Sequence, residues 1–585
     1  MNYSIIRRTT GLVLRFEAMF LILPALTGFI YRELAGAIYL LLAVAYFLLG
    51  NLLNLSVRKD DSTDYFTKEG FISVAMVWIV ISMCGALPFV VCGDIPKYSD
   101  ALFETVSGFT TTGSSILTDV EALSHASLFW RSFTHWVGGM GVIVLVLAIM
   151  PMRSRRMGSQ MHLMRAESPG PVVGKLVPKI RDTAKILYMI YLGITVTEIV
   201  LLLIAGMPLF DTLCLSFGTA GTGGFGVLGD SIASYPVLQQ AIITIFMILF
   251  GVNFNAYFYL FLGKDKKEAF RLTEVRWYFA IIAFSIVTIT INIHGLFENI
   301  FMAFHHAAFQ VGSIITTTGY ATADFDLWPQ YSRCLLVIIM FIGACAGSTG
   351  GGIKVSRIII LLKASGREIY HYLHPRSVTT IRMDNKPVEQ ETVRSVVMYV
   401  GVYAVIFTTS VLAVAFFDSG QSLETIFTAV AATFNNIGPG LSAVGPTANF
   451  SALSLPTKYI LMFDMLAGRL ELSIPCSCCS IPSASDTDLK ENGSRLAREP
   501  CAPPAGFPCP CLVKTRKGKG NIFRTARGAG DRLYIWDYVV PDEPHRAWGR
   551  RQGTKNRLLP PAFFPPGALL FLKKRLAKKC LKKRF

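Results

Sequence analysis

Four short loops that each combine a threonine or asparagine with a glycine recur along this chain. They are Thr110–Gly113, Ala220–Gly223, Thr316–Gly319 and Asn435–Gly438, and their glycines lie 110, 96 and 119 residues apart. A dehydrated cation must regain several oxygen ligands at once, and backbone carbonyls that face a common axis can supply them. Glycine suits such loops because it adopts backbone angles that a Cβ would forbid. The spacing therefore predicts four units of one chain that together surround an ion.

The residues expected to line this ion path come from all four loops. They are Thr111, Thr112, Gly113, Thr222, Gly223, Thr317, Thr318, Gly319, Asn436, Ile437 and Gly438. A single Thr-Gly pair in a membrane protein is commonly a helix C-cap or a close-packing site, and that alternative applies to each loop taken alone. It explains neither the regular spacing nor the short apolar segment before each loop.

The elements that must position these loops are membrane spans. A mean hydropathy of +0.48 with 52% apolar and 16% charged residues lies outside the range of soluble proteins. Windows of about 20 apolar residues, enough to cross a bilayer core of about 30 Å, begin near Gly11, Ala35, Phe71, Phe133, Ala184, Leu238, Trp277, Arg333 and Val396, with a weaker one near Pro456. These windows predict an all-α polytopic membrane protein of about ten spans.

Four apolar segments are too short to cross the membrane: 99–111, 208–219, 300–315 and 423–434. A helix of 12 residues covers about 18 Å, roughly half the bilayer. Each segment must therefore enter the membrane and turn back, and irregular backbone at that depth is tolerated only where protein or water surrounds it. This pattern predicts four re-entrant pore helices whose C-terminal partial charge points at the ion path.

Loop charge predicts the orientation, because lysine and arginine near the ends of spans stay in the cytoplasm. Basic clusters lie at 152–185, 264–276 and 363–386, so these loops, the N-terminus and the C-terminal tail are predicted to be cytoplasmic. The four Thr-Gly or Asn-Gly loops then open outward. The acidic residues around them, which should concentrate cations, are Asp94, Asp100, Glu104, Asp119, Glu121, Asp211, Asp230, Asp324 and Asp326.

Residues 343–352 interrupt another span. The apolar stretch from Arg333 to Ile342 covers about 15 Å and so reaches only the bilayer middle. The following sequence, GACAGSTGGG, has five glycines among ten residues and cannot hold a regular helix, whereas Lys354 and Arg357 resume a helical pattern. The alternative is a glycine-rich kink with only a packing role.

Arg469 is a charged residue well inside the last apolar segment. A guanidinium there costs about 2.5–3.5 kcal/mol on insertion scales, so it usually faces water or an acidic partner. Counted from Thr457, it lies about 18 Å along the helix, level with the glycine-rich segment. A salt bridge to Asp464 or Glu471 that only anchors the helix is the alternative.

The four repeats FETVSGFTTTGSSIL, FGTAGTGGFGVL, GSIITTTGYATADF and ATFNNIGPGLSAVG resemble those of the Trk/Ktr/HKT superfamily of potassium transporters. Two extra N-terminal spans and the string FIGACAGSTGGGIKVSR at 341–357 are most similar to its bacterial TrkH branch, and the resemblance covers about residues 1–471. It implies potassium uptake across the bacterial inner membrane through a pseudo-fourfold, channel-like pore. It also implies a homodimer and a cytosolic, nucleotide-binding TrkA-type regulatory ring as partner.

The resemblance further implies roles for individual residues. The potassium ligands would be Thr111, Thr112, Thr222, Thr317, Thr318, Asn436 and Ile437. The glycine-rich segment would be an intramembrane loop that obstructs the pore and gates it. Arg469 would narrow the cavity below the selectivity filter, which the four loops would form. The gate residues would be Gly347, Ser348, Thr349, Gly350, Gly351, Gly352, Lys354 and Arg469.

The predicted organisation is two extra spans followed by four pore repeats and a tail. The boundaries are 1–60 for the extra spans, 70–151, 184–263, 276–363 with the gating loop, and 395–471 for the repeats, and 472–585 for the tail. The last helix of the fourth repeat is expected to be cut short, because Ser473-Ile474-Pro475-Cys476 replaces the apolar continuation.

The tail differs sharply from the rest. It carries 23 Lys and Arg against 8 Asp and Glu, seven of the 12 cysteines and 13 of the 28 prolines. This composition predicts disorder. We hypothesise that the tail results from out-of-frame translation after a one-base insertion or deletion near codon 471, which reading the gene in the other frames tests. A genuine basic tail that binds anionic lipid or nucleic acid is the alternative.

Two other function classes remain open. A secondary transporter that couples sodium or protons to another substrate also uses broken helices and repeats, but typically two repeats rather than four. A membrane enzyme would need a nucleophile, an acid–base pair or a metal cluster on a common face, and the sequence offers none. We therefore expect a transporter rather than an enzyme, with no directly bound cofactor and with potassium as the transported ion.

Overall fold

The computed structural model describes residues 3–55, 67–139, 141, 180–261, 263, 266–377, 379–384, 386–470, 513–516, 521–529 and 532–540. Two compact units divide the chain, Met1–Pro482 and Ser483–Phe585. Most of the predicted basic loop at 152–185 and the predicted break after residue 471 lie outside the described residues.

The first unit is helical. In its first half the helices are α1 (Tyr3–Phe20), α2 (Ile22–Ile30), α3 (Leu34–Leu55), α4 (Thr67–Cys92), α5 (Tyr98–Phe109), α6 (His125–Gly139), α7 (Ile180–Ile204), α8 (Leu209–Gly221) and α9 (Val237–Phe250). In its second half they are α10 (Phe254–Phe261), α11 (Lys267–Arg271), α12 (Thr273–Ile293), α13 (Ile300–Ile315), α14 (Gln330–Met340), α15 (Val355–Leu373), α16 (Gln390–Phe417), α17 (Leu423–Phe434) and α18 (Leu455–Arg469). A hairpin of β1 (Arg382–Met383) and β2 (Lys386–Pro387) precedes α16.

Within the described residues, six helices are long and apolar enough to cross a membrane. The spans are Arg7–Ile30, Leu34–Leu55, Ile72–Cys92, Lys185–Ile204, Thr273–Leu296 and Gln390–Phe417. Helices α9 and α10 form a seventh candidate that is bent by 94°. The chain is therefore a multi-pass helical membrane protein, and the predicted total of about ten spans stays a prediction.

The four short predicted segments form helices that are each too short to cross a bilayer core of about 30 Å. Helices α5, α8, α13 and α17 have 12, 13, 16 and 12 residues. Their C-terminal turns are buried, whereas their first turns are more exposed. Ser422 begins α17 as a side-chain cap that accepts from the backbone N–H of Thr425. Each short helix thus delivers one end to the protein interior.

The two N-terminal helices α2 and α3 meet through backbone rather than side chains. A Cβ built on Gly28 would lie 2.6 Å from the Cα of Gly36. Small residues allow this close approach between membrane helices, where packing rather than exclusion of water drives association. Tyr39 on α3 then bonds to Ser127 on α6 at 3.0 Å, which ties the two extra helices to the first repeat.

The second unit corrects one prediction for three strands, whereas the rest of the tail lies outside the described residues. The composition of residues 472–585 predicts disorder, yet β3 (Val513–Arg516), β4 (Asn521–Ala529) and β5 (Arg532–Val540) form an antiparallel sheet in that order. The physical reason is local, because β5 is rich in β-branched and aromatic residues.

Candidate functional site

The four predicted loops have the same backbone hydrogen-bond pattern. In each, the N–H group of one loop residue reaches back to a carbonyl near the end of the short helix, with a donor–acceptor distance of 2.8 Å in every case. The pairs are Thr112 N to Ser107 O, Gly223 N to Gly218 O, Thr318 N to Ser313 O and Ile437 N to Ala432 O. This bond ends the helix in a Schellman motif, in which one residue after the helix has a left-handed backbone conformation. Four loops with three different sequences thus form one structure.

The residue at the turn of each loop has a left-handed backbone. Thr111, Thr222, Thr317 and Asn436 have φ of 56°, 54°, 58° and 56°. Three of these are β-branched threonines, for which positive φ is a true outlier. Strain of this kind costs about 1–3 kcal/mol per residue and persists where the surrounding structure imposes it, often at functional sites.

The four loops meet in a closed ring. A Cβ on Gly113 would overlap the carbonyl oxygen of Gly223 in the second loop. In the same way, Gly224 abuts the Thr318 carbonyl and Gly319 abuts the Ile437 carbonyl. The circuit closes where a Cβ on Gly438 would lie 2.9 Å from the Thr112 carbonyl oxygen. The structure therefore brings together loops separated by hundreds of residues.

The ring also corrects the register of the second loop. The sequence spacing matches Gly223 to Gly113, but the positive φ of 80° at Gly224 is the counterpart of 83° at Gly113 and 86° at Gly319. Gly223 instead corresponds to Thr112, Thr318 and Ile437 in the hydrogen-bond pattern. The second loop holds three glycines within four residues, so spacing alone could not select the right one.

The side chains around the ring differ between the loops. In the first and third, Thr110 bonds to Thr112 and Thr316 bonds to Thr318, each at 2.8 Å. In the fourth, Asn436 Nδ2 donates to Thr112 Oγ1 of the neighbouring first loop at 2.9 Å and to the Met465 carbonyl at 3.0 Å. Asn436 thus links the fourth loop to the first loop and to α18.

The glycine-rich segment lies directly against this ring. It connects α14 to α15, and its Ser348 and Thr349 are buried. Gly351 N donates to Thr317 Oγ1 at 2.6 Å, and a Cβ on Gly350 would lie 2.9 Å from the Thr316 carbonyl oxygen. Glycine is required here because the segment touches the backbone of the third loop.

Lys354 is the N-cap residue of α15, lies two residues after the glycine-rich segment, and is buried. Its Nζ donates to the carbonyl oxygens of Gly350 and Gly351, the latter at 3.1 Å. Carbonyl dipoles that face an ammonium stabilise its positive charge. The lysine thus folds the glycine-rich segment back on the helix that follows it.

Arg469 forms the other contact to this segment. Its Nη1 donates to the Thr349 carbonyl at 2.9 Å, and its Nη2 donates to the Gly138 and Gly139 carbonyls at 2.5 and 2.8 Å. Asp464, the salt-bridge alternative, instead accepts from Ser410 at 2.7 Å. The guanidinium therefore joins the end of α6, the glycine-rich segment and α18, and the other alternative partner, Glu471, lies outside the described residues.

Replacing Arg469 with glutamine should raise ion flux in the resting protein. Glutamine is shorter and uncharged, so it cannot satisfy the carbonyls of both Thr349 and Gly138, and the glycine-rich segment loses a tether. We expect basal flux into vesicles to increase at equal protein content, measured with a thallium-sensitive dye. Arg367→Gln is the matched control, since that arginine is on α15 and pairs with the neighbouring, exposed Glu368. Equal basal flux from both variants would contradict the idea that the contact between Arg469 and Thr349 restrains ion flux.

A buried ion pair that the sequence did not indicate braces the first two loops. Arg131 Nε lies 2.6 Å from Glu104 Oε1, and both side chains are almost fully buried. Glu104 also accepts from the backbone N–H of Ile116 at 3.0 Å, just after the first loop. Arg131 donates to the Gly226 carbonyl at 3.0 Å, just after the second loop. The usable signal was a charged residue inside each of two apolar segments.

The predicted acidic mouth is only partly available to attract cations. Glu104 is buried in the ion pair above, and Asp100 pairs with Lys458 at 2.9 Å. Asp326 pairs with Arg333 at 2.8 Å and accepts from Ser442 N at 3.0 Å. Asp100 and Asp326 thus join neighbouring repeats to each other, and the negative charge of all three carboxylates is largely compensated.

Comparison with known proteins identifies the family of this chain. The TrkH family of cation transport proteins matches residues 40–485. This chain belongs to the TrkH family. It is 37% identical over 480 residues to the Trk system potassium uptake protein TrkH of Escherichia coli K12, an alignment that covers 81% of this chain and 97% of the relative.

Further TrkH relatives agree. The chain is 36% identical over 479 residues to the potassium uptake protein TrkH of Salmonella typhimurium, with the same coverage of 81% and 97%. The crystal structure of the potassium transporter TrkH from Vibrio parahaemolyticus superposes with a TM-score of 0.73 at 32% identity, covering 83% of this chain and 99% of that one. The TrkH family match ends at residue 485, 14 residues beyond the predicted break at 471.

Proposed function

We propose that this protein takes up potassium through the ring formed by the four loops. The observation that carries the proposal is the closed circuit of glycine and carbonyl contacts, from the first loop to the fourth and back. Closed rings of backbone carbonyls replace the water around a potassium ion in selectivity filters. The relatives that match over nearly their whole length are potassium uptake proteins.

In this proposal α5, α8, α13 and α17 are re-entrant pore helices in a pseudo-fourfold arrangement. Each ends at its loop, so the partial negative charge of its C-terminus faces the ion path. The ligands are proposed to be carbonyl oxygens from Thr111, Thr112, Thr222, Thr317, Thr318, Asn436 and Ile437, with Gly223 contributing the carbonyl equivalent to that of Thr112. The units 70–151, 184–263, 276–363 and 395–471 are the four pore repeats, and 1–60 are the extra spans.

The glycine-rich segment is proposed as the gate. Its contacts to Thr317 and its place next to Arg469 support an obstruction below the filter. Residues Gly347–Gly352, Lys354 and Arg469 would form it. Opening requires the segment to leave the ring, which its glycines permit because they carry no side chains that interlock with the surroundings.

The assembly is inferred from the relatives. The name of those proteins, Trk system, supports a multi-component system. We propose a homodimer in the bacterial inner membrane, regulated by a cytosolic TrkA-type nucleotide-binding ring, with the N-terminus and tail in the cytoplasm.

Growth of a potassium-uptake-deficient bacterial strain on limiting potassium tests the function. Expression of this chain should restore growth, and a Gly319→Ala variant that reaches the membrane in equal amount should not. A variant cut after residue 485 separates the contribution of the tail. Failure of both the full-length and the shortened chain to restore growth, with protein present in the membrane, would contradict potassium uptake and would favour a coupled transporter of another substrate.

A further inference from the structure

Glu274 contacts the glycine-rich segment, and the transport proposal does not use this contact. It lies in the first turn of α12, and its side chain is only 5% exposed. A buried carboxylate in a membrane protein is costly and normally has a functional or structural partner. The partners of Glu274 come from two other elements.

The first of these elements is the glycine-rich segment, together with the start of the helix that follows it. Glu274 Oε1 accepts from Ala346 N at 2.7 Å, within the segment, and from Ser356 N at 3.1 Å, in the first turn of α15. One carboxylate oxygen therefore joins the segment to the start of α15. Charge-assisted bonds of this kind are about twice as strong as neutral ones.

The second element is the bend between α9 and α10. Asn253 lies in this bend, and its Nδ2 donates to Glu274 Oε2 at 3.2 Å. Two backbone bonds run beside it, from Cys345 N to the Gly251 carbonyl at 3.0 Å and from Phe254 N to the Gly347 carbonyl at 3.1 Å. The 94° bend is thus paired along its length with the glycine-rich segment.

We infer that Glu274 is a positioning residue that latches the glycine-rich segment to the α9–α10 bend. The segment cannot leave the ring unless the carboxylate releases Ala346. Because the second oxygen holds Asn253, movement of α10 acts on the same latch. The gating consequence depends on the transport function proposed above, whereas the latch itself does not.

Cys345 provides a direct report on the latch. Its thiol is fully buried within the segment, next to Ala346. The chain also carries internal references, since Cys334 is exposed and Cys214 on α8 is buried away from the segment. Labelling of the purified full-length protein with N-ethylmaleimide, quantified for each cysteine by peptide mass spectrometry, measures how often the segment opens.

Glu274→Ala should speed labelling of Cys345 by about tenfold, because two buried N–H groups lose their acceptor, while Cys214 stays protected. Glu274→Gln keeps one carbonyl acceptor and should give a smaller increase. Asn253→Ala removes only the link to the bend and should also give a smaller increase. Ser285→Ala, on the same helix with a buried side chain, is the matched control and should label like the unmodified protein.

Unchanged labelling of Cys345 in Glu274→Ala, with Cys214 protected, would overturn the latch. If Glu274→Ala also exposes Cys214, the variant has unfolded, and Glu274→Gln and Asn253→Ala decide: no increase in either overturns the latch. Potassium flux of the same variants separates the two proposals. Faster labelling of Cys345 with unchanged potassium flux would support the latch and contradict the proposal that the segment is a gate.

Discussion

Replacing Gly113 with alanine is expected to abolish the preference for potassium over sodium while the protein still inserts in the membrane. The new Cβ would overlap the carbonyl oxygen of Gly223, an atom of the neighbouring loop that cannot move without changing the ring. Alanine at φ of 83° adds strain of about 1–2 kcal/mol. A carbonyl displaced by tenths of an ångström no longer matches a potassium ion better than a sodium ion.

The size of this effect should follow the geometry of each loop. Gly319→Ala and Gly224→Ala should behave like Gly113→Ala, since both meet a carbonyl oxygen of the next loop. Gly438→Ala should be milder, because its Cβ would lie 2.9 Å from the Thr112 carbonyl. Flux of potassium and sodium into vesicles, measured separately, gives the ratio, and a tenfold change in it corresponds to about 1.4 kcal/mol.

Gly206→Ala is the matched control for backbone strain. Gly206 has φ of 82°, nearly that of Gly113, but a Cβ there has nothing within 4 Å. This variant should lose some stability and keep its ion preference. If it changed ion preference as much as Gly113→Ala, strain alone would explain both and the ring would have no special role.

Replacing Arg131 with methionine is expected to cause a severe loss of stability. Removal of one partner from a buried pair costs about 3–5 kcal/mol, because the remaining charge stays buried without compensation. Glu104 would be that charge. The first and second loops would also lose the bond to the Gly226 carbonyl and the stacking of the guanidinium 3.6 Å above the Phe225 ring.

A set of variants separates these contributions. The double variant Glu104→Gln with Arg131→Met should recover part of the lost stability, because no unpaired charge remains. Arg333→Met is the matched control, since its partners Asp326 and Glu424 are 25% and 42% exposed and such pairs contribute about 0–1 kcal/mol. Thermal unfolding in detergent, followed by size-exclusion chromatography, measures the stability of each variant and so ranks them. A double variant no more stable than Arg131→Met would contradict the buried-charge explanation.

Local signals in the sequence predicted much of the site. Half-membrane length predicted the four short helices, and five glycines in ten residues predicted the break before α15. Depth along the last helix predicted that Arg469 lies level with this break, and Arg469 Nη1 donates to the Thr349 carbonyl. Each of these features depends on neighbours in sequence, so it can be read without knowing the fold.

Other features depend on tertiary contacts and could not be predicted. Gly224 rather than Gly223 occupies the left-handed position, and only the backbone of the folded ring distinguishes them. Glu104 and Arg131 are 27 residues apart on different helices, and Glu274 reaches a segment 72 residues away. The sequence marks Glu104 and Arg131 as charges in apolar segments and places Glu274 among the charged residues 264–276, but it does not name their partners.

The most direct test of the potassium filter is anomalous diffraction from crystals grown with thallium(I), which substitutes for potassium. Ions should lie on the common axis of the four loops, within coordination distance of carbonyl oxygens from Thr111, Thr222, Thr317 and Asn436. Thallium bound only elsewhere, with the centre of the ring unoccupied, would contradict the proposed function.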